Sequence, residues 1–335
     1  MRAKWWVGGV VSLCTFAAVI ALAECLLMNR GLMASRFGHP HFNLRSSYSW
    51  AQLDPDTGWK NKEDTSVSME PGNVNMTFWS HGRRATRASP DLRPDRPTAV
   101  ILGDSISQGY GITDSETYGY IVQARHPEWN IENLATGGYG GYQSLLMLRK
   151  IYAEKFLQPK LVVYAYANFH AGRDVANYDW VEKYTNRNGE WFAPPNVIPR
   201  DGGLMEQPLT VYKAWPLEYN SRLVRLLKKA YLKVIYGRRQ KYEDEVTRLL
   251  IAEMRRLSES NGAQFLIFRL TPARADVDNY LKESKVALVD CVVDMTSPSA
   301  HVGGVGHPSG IVHASWATCL DKWITSNGLP QSTSK

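Results

Sequence analysis

The chain lacks most of what would mark a metal, nucleotide or nucleic-acid protein. It has four cysteines in 335 residues, and no two have metal-ligand spacing, so structural zinc is not indicated. Cys14 and Cys25 fall in an apolar N-terminal run, which leaves Cys291 and Cys319 in the body. An oxidising compartment would let these two pair, and two buried free thiols fit equally well. Charged residues are only 21% of the chain against 44% hydrophobic, the balance of a globular protein and not of a disordered one. The net charge of +7 is scattered except in one stretch, so nucleic acid is not expected as a partner. No G-x-G-x-x-G follows the first predicted strand, which leaves a dinucleotide site without support. One further absence matters below: no carboxylate occurs between Asp294 and His307.

Trp5 to Met28 is a largely apolar run of 24 residues whose only charged group is Glu24, and Arg2 and Lys4 precede it. About 20 apolar residues span a bilayer as a helix, so residues 1–30 are expected to form an uncleaved transmembrane anchor. Cleavage after Ala21-Leu22-Ala23, giving a secreted protein, is the alternative. Leu22-Ala23-Glu24-Cys25 has the outline of a lipoprotein box, but Glu24 stands where a small residue is required. Either way the body is expected outside the cytoplasm. Arg30 and Arg36 follow the run, so charge asymmetry adds little.

Residues 31–97 are rich in Ser, Pro, Asp, Gly and Arg with scattered aromatics, and are expected to be a linker and irregular leader. From Thr98 the pattern alternates. Strands are expected at Thr98–Leu102, Trp129–Leu134, Leu161–Ala167, Ala263–Arg269 and Val286–Val292. Helices are expected at Thr117–Arg125, Gly141–Leu157, Tyr242–Ser260 and Ile311–Thr325. Such alternation implies α/β architecture, a three-layer α/β/α sandwich around a five-stranded parallel sheet in flavodoxin-like order. The domain would span 98–327, with an insertion at 177–237 and a tail at 328–335. The insertion carries Tyr178, Trp180, Tyr184, Trp191, Phe192 and Trp215, fit either to stack on sugar rings or to pack as a lid core. Arg222 to Lys241 holds eight Lys or Arg and no acidic residue, with apolar residues at helical spacing. It suits contact with an anionic membrane surface or polymer, or a solvated face on a helix packed over the sheet.

Chemistry concentrates at the strand ends. Thr98 to Gly109 reads Thr-Ala-Val-Ile-Leu-Gly-Asp-Ser-Ile-Ser-Gln-Gly, an unbroken apolar strand, a glycine, then Asp104-Ser105 where a helix can begin. Ser105 thus sits at the carboxyl end of a buried strand and at a helix start, where negative charge is favoured. That placement suits a nucleophile whose attack creates an oxyanion. Asn133 to Gln143 is a Gly-rich turn after the second strand, Asn168 follows the third, and Gly306-His307-Pro308-Ser309 precedes the last helix. In a parallel sheet all emerge at the edge that carries Ser105.

Together these segments resemble the SGNH or GDSL-type hydrolase family. Gly103-Asp104-Ser105 resembles its nucleophile motif, and Gly138 and Asn168 the glycine and asparagine of its oxyanion hole. His307, with Pro308, Ser309 and His313 beyond it, resembles its base motif. The resemblance runs from Thr98 to Ile324. It implies that His307 takes the proton of Ser105, whose oxygen attacks an ester carbonyl. The oxyanion would be held by the N–H groups of Ser105 and Gly138 and the amide of Asn168, with no metal or cofactor. The layout is similar to bacterial extracytoplasmic members acting on glycans. That implies an inner-membrane protein facing the periplasm, with an O-acylated carbohydrate or another ester as substrate.

Two positions depart from the family's pattern. Its Asp two or three residues before the base is replaced by Val305 and Gly304, so His307 lacks its usual orienting partner. A Ser-His dyad, a substitute acid such as Asp294 or Asp174, or an inactive descendant would each follow. The Asp that often follows the oxyanion asparagine is replaced by Phe169-His170, where His170 would line the pocket or be structural. His301 and His313 are expected to be structural, the latter capping or packing the final helix. Lipid ester hydrolysis and a non-catalytic glycan-binding or assembly role are the competing functions.

Overall fold

The computed structural model describes residues 50–69, 74–183, 191–192, 194–209, 211–212, 215–218, 220–303 and 306–327, and scattered positions from 15 to 26. Most of the expected anchor, the linker up to residue 49 and the tail 328–335 lie outside these. Among the described residues no helix is long and apolar enough to cross a membrane.

Where composition leads one to expect an irregular leader, the structure has two hairpins. β1 (Ala51–Asp54) pairs antiparallel with β2 (Gly58–Asn61), and β3 (Thr65–Met69) with β4 (Val74–Phe78). The first turn is set by Asp54, whose carboxylate accepts from the N–H groups of Asp56 and Thr57 at 3.1 and 2.9 Å, an Asx turn. Trp50, Trp59, Met76 and Phe78 are buried with Tyr139 and Trp180 in a small core of their own.

The main sheet follows. β5 (Thr98–Leu102), β6 (Asn130–Asn133) and β7 (Pro159–Tyr166) come first. The insertion then forms β8 (Trp191–Phe192), β9 (Asn196–Arg200), β10 (Gly203–Gln207) and β11 (Val211–Tyr212), in two antiparallel pairs. β12 (Gln264–Arg269) and β13 (Ala287–Asp290) complete the series. The order is β13-β12-β7-β5-β6, and every pairing is parallel. This is the flavodoxin-like order expected from the alternation.

The inner strands β5, β7 and β12 read as largely apolar runs because both faces are covered. Val100, Leu102, Val162, Tyr164 and Ile267 point to a core formed with helices Gly141–Glu154 and Glu243–Ser260. Their neighbours Ala99, Ile101, Val163 and Phe268 point to the other, against Tyr118–Arg125 and Gly310–Asn327, as the two-residue period of a strand requires. A helix at Ala275–Glu283, not expected from sequence, connects β12 to β13 and buries Val277 and Leu281 in the first of these cores. Cys291 and Cys319 form a disulfide with Cα atoms 5.9 Å apart, closing the segment from the end of β13 to the last helix.

Candidate active site

Ser105 opens the short helix Ser105–Gln108 directly beyond β5. Asp104 caps that helix, its Oδ1 accepting from the Ile106 N–H at 3.0 Å. Capping fixes the turn and leaves the serine hydroxyl at the sheet's carboxyl edge. The fully buried Arg84, brought in by the leader, donates to the carbonyls of Gln108 and Ile112 at 3.1 and 2.9 Å and pairs with Asp114. Burial brings its guanidinium down to about 10, opposed by Asp114, so it stays a cation under the Ser105 loop.

His307 arrives from the other end of the chain. Its Nε2 stands 3.0 Å from Ser105 Oγ, within reach for proton transfer. The loop carrying it is tied back on itself: Val302 N–H donates to the His307 carbonyl at 2.7 Å, and Ser309 N–H to that of Ala300 at 2.8 Å. The Tyr110 ring lies 4.9 Å from the imidazole, and Trp50 packs edge-on against Tyr110 at 6.3 Å.

Gly138 is buried in the turn after β6 with φ of +84°, a conformation costly for any residue with a Cβ. The leader hairpin stitches this turn in place. Trp59 Nε1 donates to the Gly137 carbonyl at 2.8 Å, Tyr139 donates its hydroxyl to the Trp59 carbonyl at 2.6 Å, and Asn61 Nδ2 donates to the Ala135 carbonyl at 3.1 Å. Asn168 lies just past β7, where its backbone N–H donates to Thr271 Oγ1 at 2.8 Å. Ser105, Gly138, Asn168 and His307 thus come from four loops on one edge of the sheet.

The remaining candidates have other partners. Asp174 is fully buried at the start of helix Gly141–Glu154, where Oδ1 accepts from Tyr142 N–H at 2.8 Å. Burial pushes its carboxyl up to about 7 against the pull of the Tyr142 N–H and Arg173. A Cβ at Gly140 would collide with this carboxylate. Asp294 accepts from the Thr296 N–H and hydroxyl at 2.9 and 3.0 Å. Of the two substitute acids considered for His307, Asp174 is thus engaged by a helix start and Asp294 by a local turn. His170 does not line an open pocket: it is fully buried, with Nε2 3.6 Å from Asp104 Oδ2. Its Nδ1 accepts from the Tyr164 hydroxyl at 2.9 Å. The Ala167 N–H also points at Nδ1, at 3.5 Å, so Nδ1 is the accepting nitrogen and Nε2 faces Asp104; burial lowers the ring's pKa against the pull of Asp104. His313 packs in the core, taking the Tyr118 N–H at 3.2 Å, and burial lowers it to about 3. His301 Nε2 donates to the Met295 carbonyl at 2.8 Å.

Arg173 is the residue whose part sequence did not reveal. Its Nη1 donates to Asp104 Oδ2 at 3.0 Å and to the Tyr139 carbonyl at 2.6 Å. Its guanidinium lies over the rings of Phe169 at 4.5 Å and Trp180 at 4.6 Å. Asp104, Tyr139 and Phe169 adjoin Ser105, Gly138 and Asn168, so one cation binds the three loops of the candidate nucleophile and oxyanion donors. Beside it Phe169, Arg173, Asn177, Trp180, Glu243 and Arg274 border a cavity of about 300 Å³.

No family model matches this sequence, and no curated protein does. Solved structures similar to it include a GDSL-like lipase from Bacteroides thetaiotaomicron, at 15% identity and TM-score 0.40 over 71% of this chain and 92% of that one. A member of the lipolytic G-D-S-L family from Veillonella parvula is 12% identical, with TM-score 0.39 over 68% and 98%. An acetyl xylan esterase from Butyrivibrio proteoclasticus is 13% identical, with TM-score 0.36 over 70% and 65%. At these values the likeness carries no weight beside the geometry of the site.

Proposed function

We propose that the protein is a serine ester hydrolase of SGNH type, acting outside the cytoplasm on O-acyl groups of a carbohydrate. The observation that carries this is the 3.0 Å separation of Ser105 Oγ and His307 Nε2, on an edge that also holds Gly138 and Asn168.

In the proposed reaction His307 Nε2 takes the hydroxyl proton as Ser105 Oγ bonds to the ester carbonyl carbon. The negative oxygen that forms is held by the N–H groups of Ser105 and Gly138 and the Asn168 side-chain amide. Each such donor is worth about 2.7–4 kcal/mol in the transition state. The bond to the alcohol oxygen then breaks, and His307 gives the leaving alcohol its proton. A water then attacks the acyl carbon and gives a proton to His307, which passes it to Ser105 Oγ as the bond to the acyl group breaks and the acid leaves. Arg173, Asp104 and His170 take no proton in this scheme; they hold the loops.

The disulfide between Cys291 and Cys319 favours an oxidising compartment. It agrees with a chain anchored by residues 1–30 in a bacterial inner membrane and facing the periplasm. The aromatic insertion favours sugar over a long acyl chain as the group recognised. Acetylated polysaccharide and a long-chain lipid ester, offered to the full chain, separate the substrate classes. Acetate released from the polysaccharide by wild type and not by Ser105→Ala supports the reading, and turnover of the lipid ester alone overturns its carbohydrate part.

A further inference from the structure

The helix Arg222–Tyr236 turns its apolar side away from the protein. Its buried positions are Lys228, which pairs with Glu218, and Leu232. On the other side Leu227, Tyr231 and Val234 are 54%, 50% and 66% exposed. They are spaced by four and three residues, one face of a helix. A soluble helix ordinarily directs such a stripe at the core, so this is not the solvated face over a sheet that composition also allows. Arg222, Arg225, Lys229 and Lys233 fall on the side of the helix opposite this stripe. An apolar stripe backed by a cationic face is the pattern of a helix lying in the plane of a bilayer interface.

A second observation places the helix. Its first turn is closed by Glu24, the one acidic residue of the apolar run 5–28. The Glu24 carboxylate accepts from the N–H groups of Arg222 and Leu223 at 2.9 and 3.0 Å, and from the Ser221 hydroxyl. The start of the helix therefore sits beside the end of the segment taken to enter the membrane. Trp215 packs against Tyr231 with ring centroids 5.4 Å apart, a pair suited to headgroup depth.

We infer that Arg222–Tyr236 is an interfacial helix resting on an anionic lipid surface. Leu227, Tyr231 and Val234 enter the acyl boundary, and the Lys and Arg of the polar face meet headgroup phosphates. A second copy of the chain is disfavoured as the occupant, because two such cationic helices repel. Anionic phospholipid supplies the missing charge, and each basic group near its surface adds attraction. The helix Tyr178–Lys183 packs against this one, and its Trp180 lies on Arg173. The lipid contact thus fixes the aspect of the catalytic edge to the membrane. The inference rests on the membrane location in the proposed function.

The test uses the full chain with Cys14→Ser and Cys25→Ser, the disulfide intact, and an environment-sensitive fluorophore on Val234→Cys. Vesicles of phosphatidylglycerol and phosphatidylcholine in about equal parts carry a nitroxide lipid quencher, and flotation verifies that the chain is bound. The expected result is severalfold stronger quenching than for the same label on Glu259→Cys. That excess falls in phosphatidylcholine alone and in Arg222→Gln/Arg225→Gln/Lys229→Gln/Lys233→Gln. Equal quenching at the two positions in floating protein overturns the interfacial helix alone. Equal excess in neutral and anionic vesicles overturns the anionic partner. A chain that does not float overturns the membrane location and the helix with it.

Discussion

Arg173 Nη1 stands 3.0 Å from Asp104 Oδ2 across 69 residues of sequence, and the same nitrogen reaches the Tyr139 carbonyl at 2.6 Å. The first contact holds the cap of the Ser105 helix, the second the glycine turn, and the Phe169 ring beneath the guanidinium adjoins Asn168. A planar cation stacked between two rings and donating to two loops is not replaced by an ammonium. Arg173→Lys is expected to lower kcat by about 10–100-fold, since displacements of about 1 Å cost that order. KM should change little. Steady-state kinetics with a small acetyl ester checks this, and an unchanged kcat would remove Arg173 from the positioning role.

Asn168 tests the oxyanion assignment separately from the nucleophile. Asn168→Ala is expected to reduce kcat by about 10²–10³ while the fold and Ser105 remain. A variant with normal turnover would mean that the developing charge is held elsewhere.

The buried carboxylate of Asp104 gives a pH signature. Burial alone would raise it, but His170 and Arg173 hold it near 2, below its ordinary 3.8. A lowered carboxyl stabilises the fold at pH above its unfolded value, and that contribution is lost as pH falls from about 4 through 2. A shift of just under two pH units is worth about 2 kcal/mol. The melting-temperature gap between wild type and Asp104→Asn should therefore be widest near neutrality and close as pH approaches about 2. A gap that stays constant over that range contradicts the ionised-cap account.

Cys291 and Cys319 enclose a 28-residue separation that includes His307. On the chain-entropy account a loop of that size contributes about 3–4 kcal/mol. Cys291→Ser/Cys319→Ser should unfold at correspondingly lower denaturant, with the loss of stability read from the midpoint. An unchanged midpoint would leave the bridge without a stabilising part.

The main sheet was legible because its inner strands β5, β7 and β12 are covered on both faces and so read as largely apolar runs, and its strands were bounded within two or three residues. Ser105, Gly138, Asn168 and His307 could be placed at one edge for the same reason, since a parallel sheet sends all its strand ends one way. The leader was not legible. β1 to β4 are four or five residues long and mix polar with apolar positions, and their burial is created by the Gly-rich turn they cover. The Pro55-Asp56-Thr57-Gly58 turn and, in the sequence, the Pro71-Gly72 dipeptide were the available signals. Helix Ala275–Glu283 also left a trace, with acids in its first turn, Lys282 in its last, and Val277 and Leu281 four apart. The Arg173–Asp104–His170 cluster leaves none, because its members meet only after β5 and β7 pair.

The central claim is that Ser105 is a nucleophile activated by His307. Its most direct test is peptide mass spectrometry of the full chain after exposure to a fluorophosphonate between about pH 6 and 9, where a histidine base operates. The account predicts one phosphonyl adduct on Ser105, strongly reduced in His307→Ala and absent in Ser105→Ala. No adduct at any pH in that range, or an adduct on another residue that survives Ser105→Ala, would contradict it.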